Sequence, residues 1–163
     1  MGNRAVKSSR ELARLSKELI YRVLDANLNR AAEGIRVCEE VARFILNDSK
    51  LTAQFKNMRH QIFMITGPNK RKKLIEKRDS ERDVGRNLLR GELKRNSYQD
   101  VFFANIQRVK ESIRVLVEFY KLIDKNTVIK LKKIRYHAYR IEKNIALKLP
   151  ALSGVRQRFL PSR

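Results

Sequence analysis

Arginine, glutamate and asparagine recur at fixed spacing in two parts of this chain, a pattern suited to holding phosphate. Residues 26–37 follow the pattern A-N-x-x-R-x-x-E-x-I-R-V, and residues 104–115 follow it again at an offset of 78. Nine of the 23 positions from 26 to 48 are identical in the second copy, including Glu40 and Ile45, which recur as Glu118 and Ile123. A repeat kept only for packing needs only its apolar positions. This one also keeps Asn27 and Asn105, Arg30 and Arg108, Glu33 and Glu111, Arg36 and Arg114. Arginine's planar fork gives a phosphate two parallel hydrogen bonds. On a helix, Arg30, Glu33, Arg36 and Glu40 fall within about 120°, away from the apolar stripe. The competing explanation is a solvated face with Arg–Glu pairs worth ~0.2–0.5 kcal/mol each. Recurrence of the residue types themselves, not merely of the charges, favours a ligand-holding face.

Other candidates are weaker. Asp79, Glu81 and Asp83 sit in a basic stretch and could hold Mg²⁺ between phosphates, although carboxylates there also serve as simple charge partners. His60 and His137 have no Cys or His at metal spacing, which points to structural roles. Gly34 and Ser112 are equivalent; a mid-helix glycine costs ~1 kcal/mol relative to alanine, so a close approach of a helix or ligand is expected there. Neither G-x-x-x-x-G-K-[ST] nor G-x-G-x-x-G is present, so a phosphate cradle must come from side chains and helix N-termini.

The elements that carry these residues read as helices throughout. Leu24, Leu28, Ala31, Ile35, Cys38, Ala42 and Ile45 form one stripe, repeated by Phe102, Ile106, Val109, Ile113, Leu116, Tyr120 and Ile123. Each set is a core-facing face at about 100° per residue. Capping signals at Ser8 with Glu11, at Asp48 and Ser49, and at Asn96 or Ser97 predict helices over roughly 9–20, 22–46, 50–65 and 98–123, with a last one over 127–148. Gly67 and Pro68 are expected to end the third. A short basic helix and a loop should follow over 69–91. The second helices also correspond, with Arg59 and His60 against Arg135 and Tyr136. The expected fold is all-α: an antiparallel helical bundle of two pseudo-symmetric helical hairpins, about 22–65 and 98–148, in one domain over 1–150 with a mobile basic tail over 151–163.

The 163 residues carry 38 lysines and arginines against 17 acidic side chains, a formal charge of +21. The excess calls for an anionic partner: nucleic acid, an anionic membrane or a phosphorylated small molecule. No apolar run approaches the ~20 residues of a membrane span, and no signal peptide is expected. Cys38, the single cysteine, fits a reducing, cytoplasmic setting as a small buried apolar residue.

Several motifs in order resemble a small helical family of thiamin synthesis. Residues 22–37 are similar to its opening. Met58, Arg59 and His60 match its R-H/Q motif; Arg78, Asp79, Asp83, Val84 and Gly85 match its R-D-x-x-x-D-V-G loop. Glu92 and Arg95 precede the second A-N motif, and Arg135, Tyr136, Tyr139 and Glu142 match the closing R-Y-x-x-Y-x-x-E. The resemblance covers roughly residues 20–145. One departure is Val117, where the second motif carries an acid.

That family occurs alone or fused before the barrel of thiamine-phosphate synthase, and the resemblance implies a hydroxymethylpyrimidine-phosphate kinase using ATP and Mg²⁺. The chain ends where the barrel would begin, so the synthase reaction is not expected of these residues. The resemblance implies Arg36, Arg114 and Asp83 as catalytic residues. It assigns substrate and ATP contacts to Asn27, Arg30, Glu33, Arg59, His60, Arg78, Asn105, Arg108, Glu111, Arg135 and Tyr136, and metal to Asp79 and Asp83. One composite site or two, and a homodimer that completes it, are both compatible with the duplication. The rival readings are a basic helical nucleic-acid binder, supported by residues 70–73 and by Lys130, Lys132, Lys133 and Arg135, and a non-catalytic scaffold for a thiamin-pathway enzyme. Against the former, aromatic residues make up only 7% of the chain, which limits base stacking.

Overall fold

The computed structural model describes residues 9–85 and 95–148, which form four long helices and no strand. Helix α1 spans Ser9–Glu40 and runs on into a single π turn, Val41–Ile45. Helix α2 spans Ser49–Glu76, α3 Tyr98–Tyr120 and α4 Lys125–Lys148. The all-α expectation holds. The expected break near residue 21 does not exist: the first two helices are one, because no glycine or proline interrupts residues 9–33.

Sequence chemistry sets the ends. Asp48 accepts the Leu51 N–H at 2.9 Å and starts α2; Ser97 accepts the Asp100 N–H at 3.1 Å and starts α3. Both are side-chain oxygens satisfying an orphan donor of a first turn. Asp124 accepts the Asn126 and Thr127 N–H groups and the Thr127 hydroxyl at the head of α4. The Thr127 bonds hold the Asp124 carboxyl below its usual range. The π turn closes with Leu46 N–H donating to the Val41 carbonyl and Asn47 in the left-handed region at φ +49°. Asparagine tolerates that conformation better than most residues. The π turn adds a residue to the register and moves Ile45, expected in the core, to half exposure.

Gly67 and Pro68 end the first helical segment of α2, as expected. Gly67 kinks the helix at φ +54°, ψ 163°, a region open essentially to glycine alone, and Pro68 can donate no hydrogen bond across the bend. The basic residues 70–73 thus lie on a second helical segment beyond the bend, where a short basic helix was expected. The tail over 151–163, the capping residue Ser8 and the motif residue Glu92 lie outside the described residues.

Helix α1 packs on α3 and α2, α3 packs on α4, and α2 meets α4 more lightly. Cys38 Sγ approaches the Phe102 carbonyl while Gly34 lies against Asn105 and Val109, so α1 and α3 run antiparallel. Ion pairs from Glu39 to Arg59 and Asp25 to Arg78 give the same sense to α1 and α2. The core is the two predicted stripes joined by Leu51, Phe55, Met58, Ile62 and Ile65 of α2 and Leu131, Ile134, Ala138, Ile141 and Ile145 of α4. Phe55 and Phe102 meet edge to face at 6.1 Å. Cys38 is fully buried, and burial pushes its thiol well above the ordinary range, which removes it as a nucleophile. Among the described residues no helix is long and apolar enough to cross a membrane.

Gly34 is where α1 and α3 come closest. A Cβ there would stand 2.9 Å from Val109 Cγ2 and 3.0 Å from the Asn105 carbonyl oxygen. Alanine would add ~1 kcal/mol of helix propensity, but overpacking costs typically ~1–3 kcal/mol and neither neighbour can swing away. G34A should therefore lower stability in urea unfolding, and G34V should lower it more; an unchanged midpoint for G34V would show that the crossing is not tight.

Candidate functional site

The polar face of α1 turns toward α2, and between them lies a cleft of about 610 Å³. Four arginines reach it: Arg36 from α1, Arg59 and Arg71 from α2, and Arg78 just beyond the end of α2. Its carboxylates are Asp25 and Glu33; its apolar wall comes from Leu28, Ala32, Val37, Ile62, Phe63, Leu74 and Ile75, with Asn29 and Thr66 at the side. The kink at Gly67 lies between Arg59 and Arg71, so the two α2 arginines sit on differently directed helical segments.

Buried carboxylates aim two of these arginines. Asp25, only 6% exposed, accepts Arg78 Nε at 2.7 Å and its Nη2 at 2.9 Å. This fork–carboxylate geometry fixes direction as well as charge, and the hydrogen bond to Asp25 raises the Arg78 pKa further. Glu39, 4% exposed, accepts Arg59 Nε at 3.0 Å and meets Arg36 at 3.4 Å. Arg36 also pairs with Glu40 at 2.7 Å while its own side chain stays half exposed. Arg71 lies over the Phe63 ring at 5.4 Å. Arginine carries five N–H donors, so one edge can be anchored while the other still binds an anion.

Of the residues expected from sequence, Glu33, Arg36, Arg59 and Arg78 come together here. Asn27 is buried and donates to the Val23 carbonyl at 2.9 Å; Asn105 does the same to Val101 at 2.8 Å. The recurrence of this asparagine therefore has a local structural cause in both copies. Arg30, His60, Arg108, Glu111 and Tyr136 are exposed and do not line the cleft. Arg114 pairs with Glu118 at 3.1 Å on α3, and Arg135 lies on α4. Asp79 pairs with Arg22 and Arg82, each at 3.7 Å, and Asp83 accepts the Gly85 N–H at 3.0 Å. Among the described residues no three His, Cys, Asp or Glu side chains gather as a metal site. His137 meets Gln54 at 3.3 Å, and burial with the nearby Arg140 charge lowers its pKa, keeping it neutral near pH 7.

Asp25, Glu39 and Arg71 are not among the site residues expected from sequence, although Asp25 lies in the opening motif and Arg71 in the basic run 70–73. Asp25 and Glu39 lie beside the repeat motif, and each has an apolar counterpart in the second copy, Phe103 and Val117. That contrast is the signal that could have found them. The same comparison explains why this cleft is open. Ala32 and Thr66 face it, and their counterparts in the second half are Lys110 and Glu142, which bridge α3 and α4 at 2.6 Å.

The ThiD2 family matches residues 22–144. The chain belongs to this family. It is 38% identical over 130 residues to the thiamine-phosphate synthase of Nostoc punctiforme, covering 79% of this chain and 36% of that protein. It is 35% identical over 145 residues to the thiamine-phosphate synthase of Rhodopirellula baltica, covering 88% of this chain and 39% of that protein. The chain thus spans under two-fifths of the length of these curated relatives. No solved structure matches it significantly.

The two glutamates beside Arg36 should differ sharply in weight. E39A strands Arg59 beside a buried gap and should cost about 1.5–3 kcal/mol, the range for a charged hydrogen bond. E40A removes a surface partner and should cost under ~1 kcal/mol. Equal losses in urea unfolding would contradict the assignment of Glu39 as the anchor.

Proposed function

We propose that this ThiD2-family chain is a phosphotransferase of thiamin biosynthesis, moving the γ-phosphoryl of ATP onto 4-amino-5-hydroxymethyl-2-methylpyrimidine phosphate. The observation that carries the reading is the convergence of four arginines on one cleft with an apolar, Phe63-bearing wall. That combination suits a phosphorylated aromatic heterocycle: the ring against the wall, the phosphates toward the guanidinium groups. Family membership and the thiamin-related names of the relatives support the pathway.

The acceptor is a phosphate oxygen already largely ionised near pH 7, so no strong general base is required. The obstacle is bringing two polyanions into line. Catalysis then rests on charge neutralisation and positioning. Arg78 and Arg59, held by Asp25 and Glu39, are the preset donors. Arg36, half exposed and shared between Glu39 and Glu40, and Arg71, which lies over the Phe63 ring, can close over the transferring phosphoryl group. Glu33 lines the same cleft, and its charge acts on Arg78. Magnesium enters as the Mg²⁺–ATP substrate, held chiefly by phosphate oxygens and water, as is usual for this ion.

A second reading has one observation in its favour. A groove of about 440 Å³ on α4 is lined by Lys132, Lys133, Tyr136, His137 and Arg140, a combination able to follow a nucleic-acid backbone. It predicts RNA binding that falls steeply with salt and ignores ATP.

Phosphorus NMR of the protein with Mg²⁺–ATP and the pyrimidine monophosphate decides between them. The expected result is a diphosphate product that EDTA abolishes. R36A and R78A should each lower turnover by about 10²-fold or more, the usual loss when one preset donor to developing charge is removed. The double substitution A32K/T66E copies the α3–α4 ion pair into the cleft and should stop turnover while circular dichroism stays helical. Full activity in that variant would place the reaction elsewhere.

A further inference from the structure

The cleft holds one neutral side chain whose polar groups are uncommitted. Asn29, half-buried on α1, lines it, and among the described residues nothing hydrogen-bonds its side-chain amide. The counterpart in the second half is Gln107. Gln107 Nε2 donates to Glu111 Oε1, four residues on, at 2.6 Å. Glu33 stands four residues beyond Asn29 in the same way. Asparagine is one methylene shorter than glutamine, and the bond does not form. The second half thus spends its amide on its own helix, while the first leaves the amide open to the cleft.

The lining groups divide by what they can offer. The four arginines only donate, and Asp25 and Glu33 only accept. The Thr66 hydroxyl donates to the Phe63 carbonyl at 2.7 Å. Among the lining side chains Asn29 alone presents a free donor beside a free acceptor. An ionised phosphate could use only the donor. A nitrogen ring with an amino group next to a ring nitrogen uses both, as an adenine edge does when asparagine grips it. The position suits such a ring. Asn29 is one turn from Asp25, ~6 Å along the helix, and Asp25 holds Arg78. One turn further on, Ala32 leaves room beside the wall that bears Phe63.

We propose that Asn29 is a specificity residue of the cleft, reading the amino-substituted edge of the bound heterocycle. Its Nδ2 donates to the ring nitrogen and its Oδ1 accepts from the amino group. The ring lies against Phe63, and its phosphate reaches Arg78. The inference rests on the reading of the cleft as the seat of a phosphorylated heterocycle, and it names the edge that is recognised. Two ligands of the reaction carry that edge: the aminopyrimidine monophosphate and the adenine of ATP.

The test is calorimetric titration of the full chain with two ligand pairs. One pair is the pyrimidine monophosphate and its analogue without the 4-amino group. The other is ATP and purine riboside triphosphate, which lacks the 6-amino group. The parent should bind the amino member of one pair about tenfold or more tightly than its analogue, because a site built to hydrogen-bond a group is left unpaired without it. N29L should bring that ratio within about threefold by weakening the amino ligand, with inorganic pyrophosphate bound as before. N29L should also melt no lower than the parent, since Asn29 makes no hydrogen bond in the fold and leucine is the better helix former. If N29L fails to fold, N29A carries the test. The pair that loses its preference identifies the ring as pyrimidine or adenine. No amino preference in the parent overturns the proposal, as does a preference that survives in both variants or the absence of binding by all four ligands. Phosphotransfer is read separately by phosphorus NMR. A preference lost in N29L with no diphosphate formed by the parent keeps Asn29 as the reader and removes the kinase; diphosphate formation with the preference intact in N29L does the reverse.

Discussion

The structure depends on one near-contact of backbone and side chain, the crossing of α1 and α3 at Gly34. With no Cβ in the way, Val109 and the Asn105 carbonyl come within 3.0 Å of where that atom would be. This depth seats both apolar stripes in one core. It also fixes the rotation of α1. Glu33, one residue before the crossing, lines the cleft on the α2 side. Adjacent residues thus serve the core and the site, so the cleft cannot shift without disturbing the crossing.

The cleft shows how a strongly basic protein can hold arginines in order without letting them repel each other into solvent. Its two buried carboxylates, Asp25 and Glu39, each engage an arginine from α2 or just beyond it. Buried ion pairs often add little net stability, since desolvation offsets the attraction. Their effect here is directional. They tie α2 to α1 at both ends of the cleft and set guanidinium groups along its wall, while the kink at Gly67 brings Arg71 in from another angle.

Much of this was legible in the residues. The two apolar stripes, the caps at Asp48 and Ser97 and the all-helical architecture followed from periodicity and local hydrogen-bond chemistry. The first two expected helices are one, since no glycine or proline interrupts residues 9–33. Gly67 followed by Pro68 reads as a stop, and a backbone open essentially to glycine does separate two helical segments there. Ile45 left the core because a π turn cannot be seen in a 3.6-residue pattern. At the site, the arginine ribbon identified Arg36, but one recurring polar pair proved local: the paired asparagines bond to their own helix. Asp25 and Glu39 do not stand out in the repeat, because the cleft is built from positions at which the two copies differ.

Those differences are only available to a tandem chain. Two identical hairpins associating as a symmetric pair would make each substitution twice, and an Ala32 that opens one cleft would open both. Joined in one polypeptide, positions 25, 32, 39 and 66 are free of positions 103, 110, 117 and 142. One half can then be hollowed while the other stays braced by Lys110 and Glu142. The brace lets the molecule tolerate an open cleft of this size beside a core of modest extent, much as a buttressed wall can carry a doorway.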